Sequence, residues 1–358
     1  YVVDNKKYSH LLKIDLNIVY NLSQIMSFLM KYNNQVVIKP DGLHGGKGVK
    51  VFGDHLHSQT DIMDEISEIL NNGESLLIEE KLVGVEFSLI SVTDGKTCLH
   101  APPIKDYKRL LNNDNGPNTG SMGCLYEGLT LSFLSEEHLT QAQQINELVV
   151  TTLQQVWKNL YSYQGFLYGS FMLTTKGELK IIEYNARLGD PEGICVLLQF
   201  QADMIDLLQA ISSQTLALHS KEFTWSPQPA LCQYLVPKLY AQGPKQVFNW
   251  TLSKNIITHI HSNSFVYLLE SSMKHNLVDV QYDEYVPYHC YTALGSRTLA
   301  MFSTSNTLEE CQQRNEIFMS FICQENPDRF YYRTDLVSLY REINTCHNVK
   351  QSSADPYL

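Results

Sequence analysis

Two oxygen-bearing side chains, Glu183 and Asn185, stand two residues apart at the end of the run Leu179-Lys180-Ile181-Ile182. Residues two apart on a strand project to the same side of a sheet, so this spacing predicts two hard oxygen ligands facing one way. Such a pair suits Mg²⁺, which keeps its other positions for water and phosphate oxygens. Arg187, Asp190 and Glu192 follow in a loop stiffened by Gly189 and Pro191, where charged groups can converge on a polar substrate. An ordinary charged turn at a surface strand end has the same composition, so the other motifs must decide between the two.

Three stretches upstream bear on that choice. In Asp41-Gly42-Leu43-His44-Gly45-Gly46-Lys47-Gly48 the glycines can adopt positive φ and turn successive backbone N–H groups toward one anion, while Lys47 adds charge. The loop is not a Walker A sequence, because Gly48 follows Lys47 where Ser or Thr is needed, and it lacks G-x-G-x-x-G. A tight glycine-rich β-turn is the alternative. Lys39 ends the apolar strand Val36-Val37-Ile38, where a lysine is costly to desolvate and needs an anionic partner. In the second stretch, Ile78 to Glu86, a strand end and short linker can offer backbone groups to a flat base, with Glu86 placed to accept from ribose hydroxyls; a solvated strand edge reads the same way. The third runs from Lys105-Asp106-Tyr107-Lys108-Arg109 into Asn115-Gly116-Pro117-Asn118-Thr119-Gly120-Ser121-Met122-Gly123. It joins three cations to a turn-rich polar loop able to wrap a substrate, against the alternative of a long surface loop.

The elements that must position these stretches follow from hydrophobic period. Residues 36–39 and 49–52 read as two strands of a hairpin closed by the glycine loop, with a helix led by Ser23 before them. Ile62, Ile66, Ile69 and Leu70 have helical spacing over 61–71. Strands are expected at 76–79, 86–92, 97–100, 165–173 and 178–183, and the span 104–123 reads as a loop. Ser135 caps a helix predicted to reach residue 160, and a further helix covers 202–212. Ser226-Pro227-Gln228-Pro229 marks a lobe boundary. Beyond it a strand-rich lobe is expected to contain one helix, 308–322, opened by a capping box of Thr307 and Glu310. The chain therefore divides into a lead-in at 1–35, a main domain at 36–225, a C-terminal mixed lobe at 226–345 and a polar, frayed tail at 346–358.

With 27 Lys and Arg against 38 Asp and Glu, a net charge of −11 disfavours nucleic acid or an anionic membrane as the main partner. No run of about eighteen apolar residues could span a bilayer. The eight cysteines form no CxxC pair, and reduced thiols in the cytoplasm account for them most simply.

Taken in order, these stretches closely resemble the ATP-grasp ligases, and among them the phosphoribosylamine–glycine ligases. The matching pieces are VVIKPDGLHGGKGV, LLIEEKLVGVEFS, IKDYKRLLNNDNGPNTGSMG and LKIIEYNARLGDPE, with YTALGSR and FYYRTDL in the last lobe. The resemblance implies an α+β, ATP-grasp fold in which two lobes hold ATP, followed by a small strand-rich lobe. It implies ATP contacts at Lys39, Gly45, Gly46, Lys47, Gly48, Glu79, Glu80, Leu82 and Glu86, and Mg²⁺ or Mn²⁺ held by Glu183 and Asn185. Substrate contacts are implied for Asp106, Lys108, Arg109, Asn118, Thr119, Gly120, Met122, Arg187, Gly189, Asp190, Pro191 and Glu192, with Arg187 and Lys47 as the catalytic cations. The implied reaction joins glycine to 5-phosphoribosylamine through a glycyl phosphate, releasing ADP and phosphate, in de novo purine synthesis. The glycine loop is then expected to act as a lid that keeps water from the acyl phosphate. An ATP-grasp ligase with another carboxylate–amine pair and a noncatalytic nucleotide-binding remnant are the alternatives.

The chain departs from that pattern in places. The family's N-terminal Rossmann-like domain is almost wholly missing from this sequence, which implies a monomer or a chain completed by a partner supplying it. Ser121 replaces a usual glycine, Tyr184 a common Phe, Tyr107 a common His, and Gly193-Ile194 a common Thr-Gln; the last lobe has Gly-Ser-Arg for Gly-Gly-Arg.

Overall fold

The computed structural model describes residues 22–41, 48–156, 162–253, 260, 262–269, 271–273 and 288–352. The chain forms two compact units, Tyr1–Val85 with Met172–Ile181, and Glu86–Phe171 with Ile182–Leu358.

The first unit contains α1 (Leu22–Lys31), β1 (Val36–Pro40), β2 (Lys50–Val51), α2 (Gln59–Asn71) and β3 (Leu76–Glu80). The sheet order is β2-β1-β3, all antiparallel, with Val37 opposite Val51 and Ile38 opposite Ile78. The expected hairpin therefore forms, although its tip, residues 42–47, lies outside the described residues. Ile38 and Ile78 project to one face and meet Ile62, Ile66 and Ile69 of α2 and Phe28 and Leu29 of α1 in one apolar cluster. Helix α2 begins two residues before the expected Asp61. The Ser58 side chain accepts from Asp61 N, and the Asp61 carboxylate accepts from Ser58 N, a reciprocal cap that fixes the start. Helix α1 already includes Leu22, so Ser23 lies in its first turn and is not its cap.

Along the chain follow β4 (Gly84–Thr93), β5 (Cys98–His100), β6 (Lys105–Asp106), β7 (Arg109–Leu111), β8 (Asn115–Asn118) and β9 (Gly123–Tyr126). The chain continues with α3 (Glu136–Val156), β10 (Gly165–Thr174), β11 (Leu179–Asn185), α4 (Glu192–Gln199), α5 (Met204–Ser212) and β12 (Ala230–Pro237). Next are β13 (Phe248–Ser253), β14 (Ser264–Leu268), β15 (Ser271–Met273), β16 (Tyr288–Ala293), β17 (Leu299–Thr304), α6 (Leu308–Glu325), β18 (Phe330–Tyr331) and α7 (Leu336–Ser352). One sheet has the order β11-β10-β4-β5, and another the order β14-β17-β12-β9-β6, with β18 paired to β12.

The span 104–123 corrects the expectation of a long unstructured loop. Strand β6 pairs with β9, and β7 pairs with β8 across a bulge. Asn113 and Asp114 take φ of 57° and 49° at the turn between β7 and β8, a left-handed conformation that short polar side chains tolerate. Alternation was hidden here because the strands are only two to four residues long. Two helices were also missed: α4 directly after the Gly189–Pro191 turn, and α7, which starts at Leu336 and continues to Ser352, inside the span expected to fray. The Thr307 hydroxyl caps α6 by accepting from Glu310 N as anticipated, while the Glu310 carboxylate accepts from Ser305 Oγ.

Candidate active site

Strand alternation places Glu183 and Asn185 together at the end of β11. Asn185 Nδ2 donates to Glu183 Oε1 at 3.3 Å, and Glu183 is exposed. Among the described residues no group of three or more His, Cys, Asp or Glu is arranged around a common point for a metal. The donor set is thus one carboxylate and one amide oxygen, hard ligands that fit a cation completed by water and phosphate oxygens.

Close by in charge, Lys108 Nζ lies 2.7 Å from Glu86 Oε2. Burial opposes the Lys108 charge, but Glu86, Asp106 and, more weakly, Glu183 outweigh it and hold the ammonium protonated. The next cation behaves differently. Lys105 is buried, donates to the Asp106 carbonyl at 2.9 Å, and has its pKa lowered by desolvation. Asp106 is buried as well; desolvation raises its pKa, while Ser121 Oγ donates to it at 2.5 Å. Ser121 has φ of 121°, a region suited to glycine. Its hydroxyl offsets the strain by donating to Asp106 and accepting from Gly123 N.

The Gly189–Glu192 turn is held from below. Glu192 is 3% exposed, accepts from Tyr168 OH at 2.7 Å and faces Ser88 Oγ at 3.4 Å. Burial, then the charge of Asp106, pushes its pKa up to about 7. A Cβ on Gly189 would stand 2.4 Å from Glu192 Oε2 and 2.7 Å from the Tyr168 ring, so the close approach of that carboxylate requires glycine. Asp190 is half exposed, bonds to Tyr234 OH, and pairs with Arg297 Nη2 at 2.5 Å.

Of the expected substrate residues, several face inward. Met122 is fully buried in the core, its amide bonded to the Tyr107 carbonyl, and Pro191 is buried. Thr119 is 4% exposed and spends both N–H and Oγ1–H on the Lys108 carbonyl. The side chains of these residues, with those of Glu192 and Asp106, are buried and support the loop, so a substrate contact from them would have to come through the backbone. Lys108, Arg109, Asn118, Gly120, Arg187, Gly189 and Asp190 keep accessible surface. Arg109 Nη1 donates to the Gly116 carbonyl, and Arg187 Nη1 to the Leu188 carbonyl.

In the first unit, Lys39 Nζ meets Glu79 Oε2 at 2.6 Å, the anionic partner that a lysine on a buried strand needs. Glu80 faces Lys180 at 3.9 Å, and Leu82 is half-buried in the irregular segment after β3. Gly48 lies in a turn before β2, whereas Gly45, Gly46 and Lys47 fall outside the described residues.

Two arginines escaped the reading of motifs by composition. Arg297 donates to the carbonyls of Gly120 and Asp190, pairs with the Asp190 carboxylate, and lies over the Tyr234 ring at 4.7 Å. It thereby joins the 115–123 loop to the Gly189–Glu192 turn. Arg333 has a fully buried side chain, pairs with Asp114 and Asp335 at 2.7 Å each, and donates to the Arg109 carbonyl. The signal for both was their place in YTALGSR and FYYRTDL, but the pieces carried no clue to partners so distant in sequence.

The fold is that of an ATP-grasp protein. Residues 9–193 match the family described as phosphoribosylglycinamide synthetase, ATP-grasp (A) domain. A phosphoribosylamine–glycine ligase from Thermotoga maritima superposes with a TM-score of 0.65 at 24% identity, covering 92% of this chain and 75% of that one. An N5-carboxyaminoimidazole synthase from Aspergillus clavatus, solved with ADP and 5-aminoimidazole ribonucleotide, gives 0.55 at 11% identity over 88% of this chain and 70% of its own. The phosphoribosylamine–glycine ligase of Methanococcus maripaludis is 33% identical over 337 residues, 92% of this chain and 70% of the relative. That of Methanosarcina barkeri is 39% identical over 212 residues, 59% of this chain and 48% of the relative. The chain belongs to the phosphoribosylamine–glycine ligase family. It spans between 48% and 70% of the length of these two relatives.

Proposed function

We propose that this chain carries out the ATP-dependent ligation of glycine to 5-phosphoribosylamine, giving glycinamide ribonucleotide, ADP and phosphate. The reading rests chiefly on one observation: within the family-matching residues 9–193, the Glu183–Asn185 oxygen pair accompanies a Lys108 ammonium held charged by Glu86 and Asp106.

In the first step a glycine carboxylate oxygen attacks the γ-phosphorus, an O–P bond forms, and ADP leaves. In the second the amine nitrogen attacks the glycyl carbonyl carbon, a C–N bond forms, the C–O bond to phosphate breaks, and the nitrogen gives up a proton to the departing phosphate or to solvent. Neither step needs a protein nucleophile, so the side chains act by orienting reactants and neutralising anions. Glu183 and Asn185 would hold Mg²⁺ or Mn²⁺, which when bound shields phosphate charge during phosphoryl transfer. Lys39 and Lys47 are assigned to nucleotide phosphates, Glu79, Glu80 and Leu82 to the base and Glu86 to the ribose. Arg187 and Lys108 supply cationic charge toward the substrates, and Arg109, Asn118, Gly120, Gly189 and Asp190 form the polar rim. On this assignment Lys39 exchanges Glu79 for phosphate when ATP binds.

The test is ADP release by the chain with glycine and phosphoribosylamine together and with each alone. Turnover is expected only with the pair. Turnover with another amine or carboxylate, and none with this pair, would move the reading to a different ligase; failure to bind Mg·ATP would remove the enzyme reading altogether.

A further inference from the structure

Behind the oxygen pair runs a continuous line of polar groups, from the buried Asn146 and Ser91 out to the exposed Glu147, whose hydrogen bonds have one consistent direction. Tyr184, between Glu183 and Asn185, projects to the opposite side of β11 and donates its hydroxyl to Asn146 Oδ1 at 3.0 Å. Asn146 lies on α3, has no exposed surface, and donates Nδ2 to the Leu89 carbonyl at 3.3 Å and to Ser91 Oγ at 2.8 Å. A carbonyl can only accept, so the amide nitrogen must face Leu89, which leaves Oδ1 for Tyr184. Ser91 Oγ accepts from Asn146 and lies 2.8 Å from His100 Nδ1; in a neutral ring whose proton sits on Nε2, facing a carboxylate that can only accept, Nδ1 takes the Ser91 proton. The neutral imidazole carries its proton on Nε2, which faces Glu147 Oε1 at 3.2 Å. Burial pushes the His100 pKa down against the pull of Glu147, in keeping with a neutral ring.

The fold makes room for this line. A Cβ on Gly169 of β10 would stand 2.7 Å from Asn146 Oδ1, so β10 passes the amide with no side chain in the way. A buried Asn is costly unless satisfied, and its three bonds reach β4 and β11 from one helix position. Fixing the Tyr184 side chain on one face of β11 also fixes the direction of Glu183 and Asn185 on the other, because alternate residues on a strand turn together.

We infer that Asn146 is a positioning residue for the Glu183–Asn185 pair, acting through Tyr184 and anchored by the Ser91–His100–Glu147 chain. The inference rests on the proposed role of Glu183 and Asn185 as metal ligands.

The experiment is a Mn²⁺ titration of the full chain with ADP present, read by electron paramagnetic resonance, together with thermal melting of each variant. Glu183→Gln tests the ligand assignment and is expected to raise the Mn²⁺ Kd by at least about tenfold. Tyr184→Phe keeps the ring and removes only the hydroxyl, and Asn146→Asp keeps Oδ1 while removing the donor to Ser91. Each is expected to raise the Kd roughly three- to tenfold at temperatures where the variant is fully folded. A purely structural role would lower the melting temperature and leave the Kd alone. A wild-type Kd in Tyr184→Phe, with Glu183→Gln weakened, overturns the inference and spares the ligand assignment, whatever Asn146→Asp does. An unchanged Kd in Glu183→Gln overturns both. The ¹⁵N shifts of His100 are expected to show an unprotonated Nδ1; a proton there overturns the directional chain.

Discussion

Replacing Glu192 by Gln tests how the Gly189–Glu192 turn is held. In the folded protein the Glu192 pKa lies at about 7 against 4.5 for an exposed glutamate, raised first by burial and then by Asp106. The folded state therefore binds a proton between those values that the unfolded chain releases. Stability from this group is fully present below the unfolded value and is lost as pH rises through the folded one. Between pH 5 and pH 8 the loss amounts to about 2–3 kcal/mol, from 1.36 kcal/mol per unit across the window. Gln cannot ionise, and its side-chain oxygen can still accept from Tyr168. Glu192→Gln should thus gain about 2–3 kcal/mol over the parent on moving from pH 5 to pH 8, a difference that isolates Glu192 together with its coupling to Asp106. Urea unfolding at the two pH values measures it. Trp225, whose indole donates to the Val196 carbonyl in the helix that Glu192 begins, serves as a local fluorescence probe. An equal stability difference at both pH values, or a loss at pH 8, would refute the argument that a buried carboxyl titrates there.

Arg333→Ala should destabilise the second unit by about 3–5 kcal/mol, because it leaves Asp335 and Asp114 without their buried partner; a loss under about 1 kcal/mol in urea unfolding would contradict this. Ser121→Gly should be within about 1 kcal/mol of the parent, since relief of positive-φ strain offsets the lost hydroxyl bonds, whereas Ser121→Ala keeps the strain and should fall about 1–3 kcal/mol below the glycine variant. Equal melting of the two variants would count against the strain. Glu183→Ala should abolish Mg²⁺-dependent ADP release while leaving the far-ultraviolet circular dichroism and melting temperature unchanged; retained turnover would remove Glu183 from the ligand set.

The sequence by itself determined the parts that depend on neighbours a few residues away. Helical spacing put Ile62, Ile66 and Ile69 on one face, and strand alternation turned Glu183 and Asn185 to one side. The requirement that Lys39 find an anion was equally legible, because desolvating a lone ammonium is unfavourable wherever the strand goes. Which anion it finds in this structure, Glu79, was decided by the β1–β3 register. Tertiary structure alone turned the expected 104–123 loop into short paired strands: β6 and β9 join the larger sheet through β12, and the β7–β8 pair is tied down by Arg333 on the Arg109 carbonyl and Asp114. It also sent Glu192, Met122 and Thr119 inward. Arg297 and Asp190 are 107 residues apart, and Arg333 and Asp114 are 219. Local pattern reports that a charge is present, but not the partner that chain folding brings to it, and the partner decides whether that charge meets a substrate or holds the site in place.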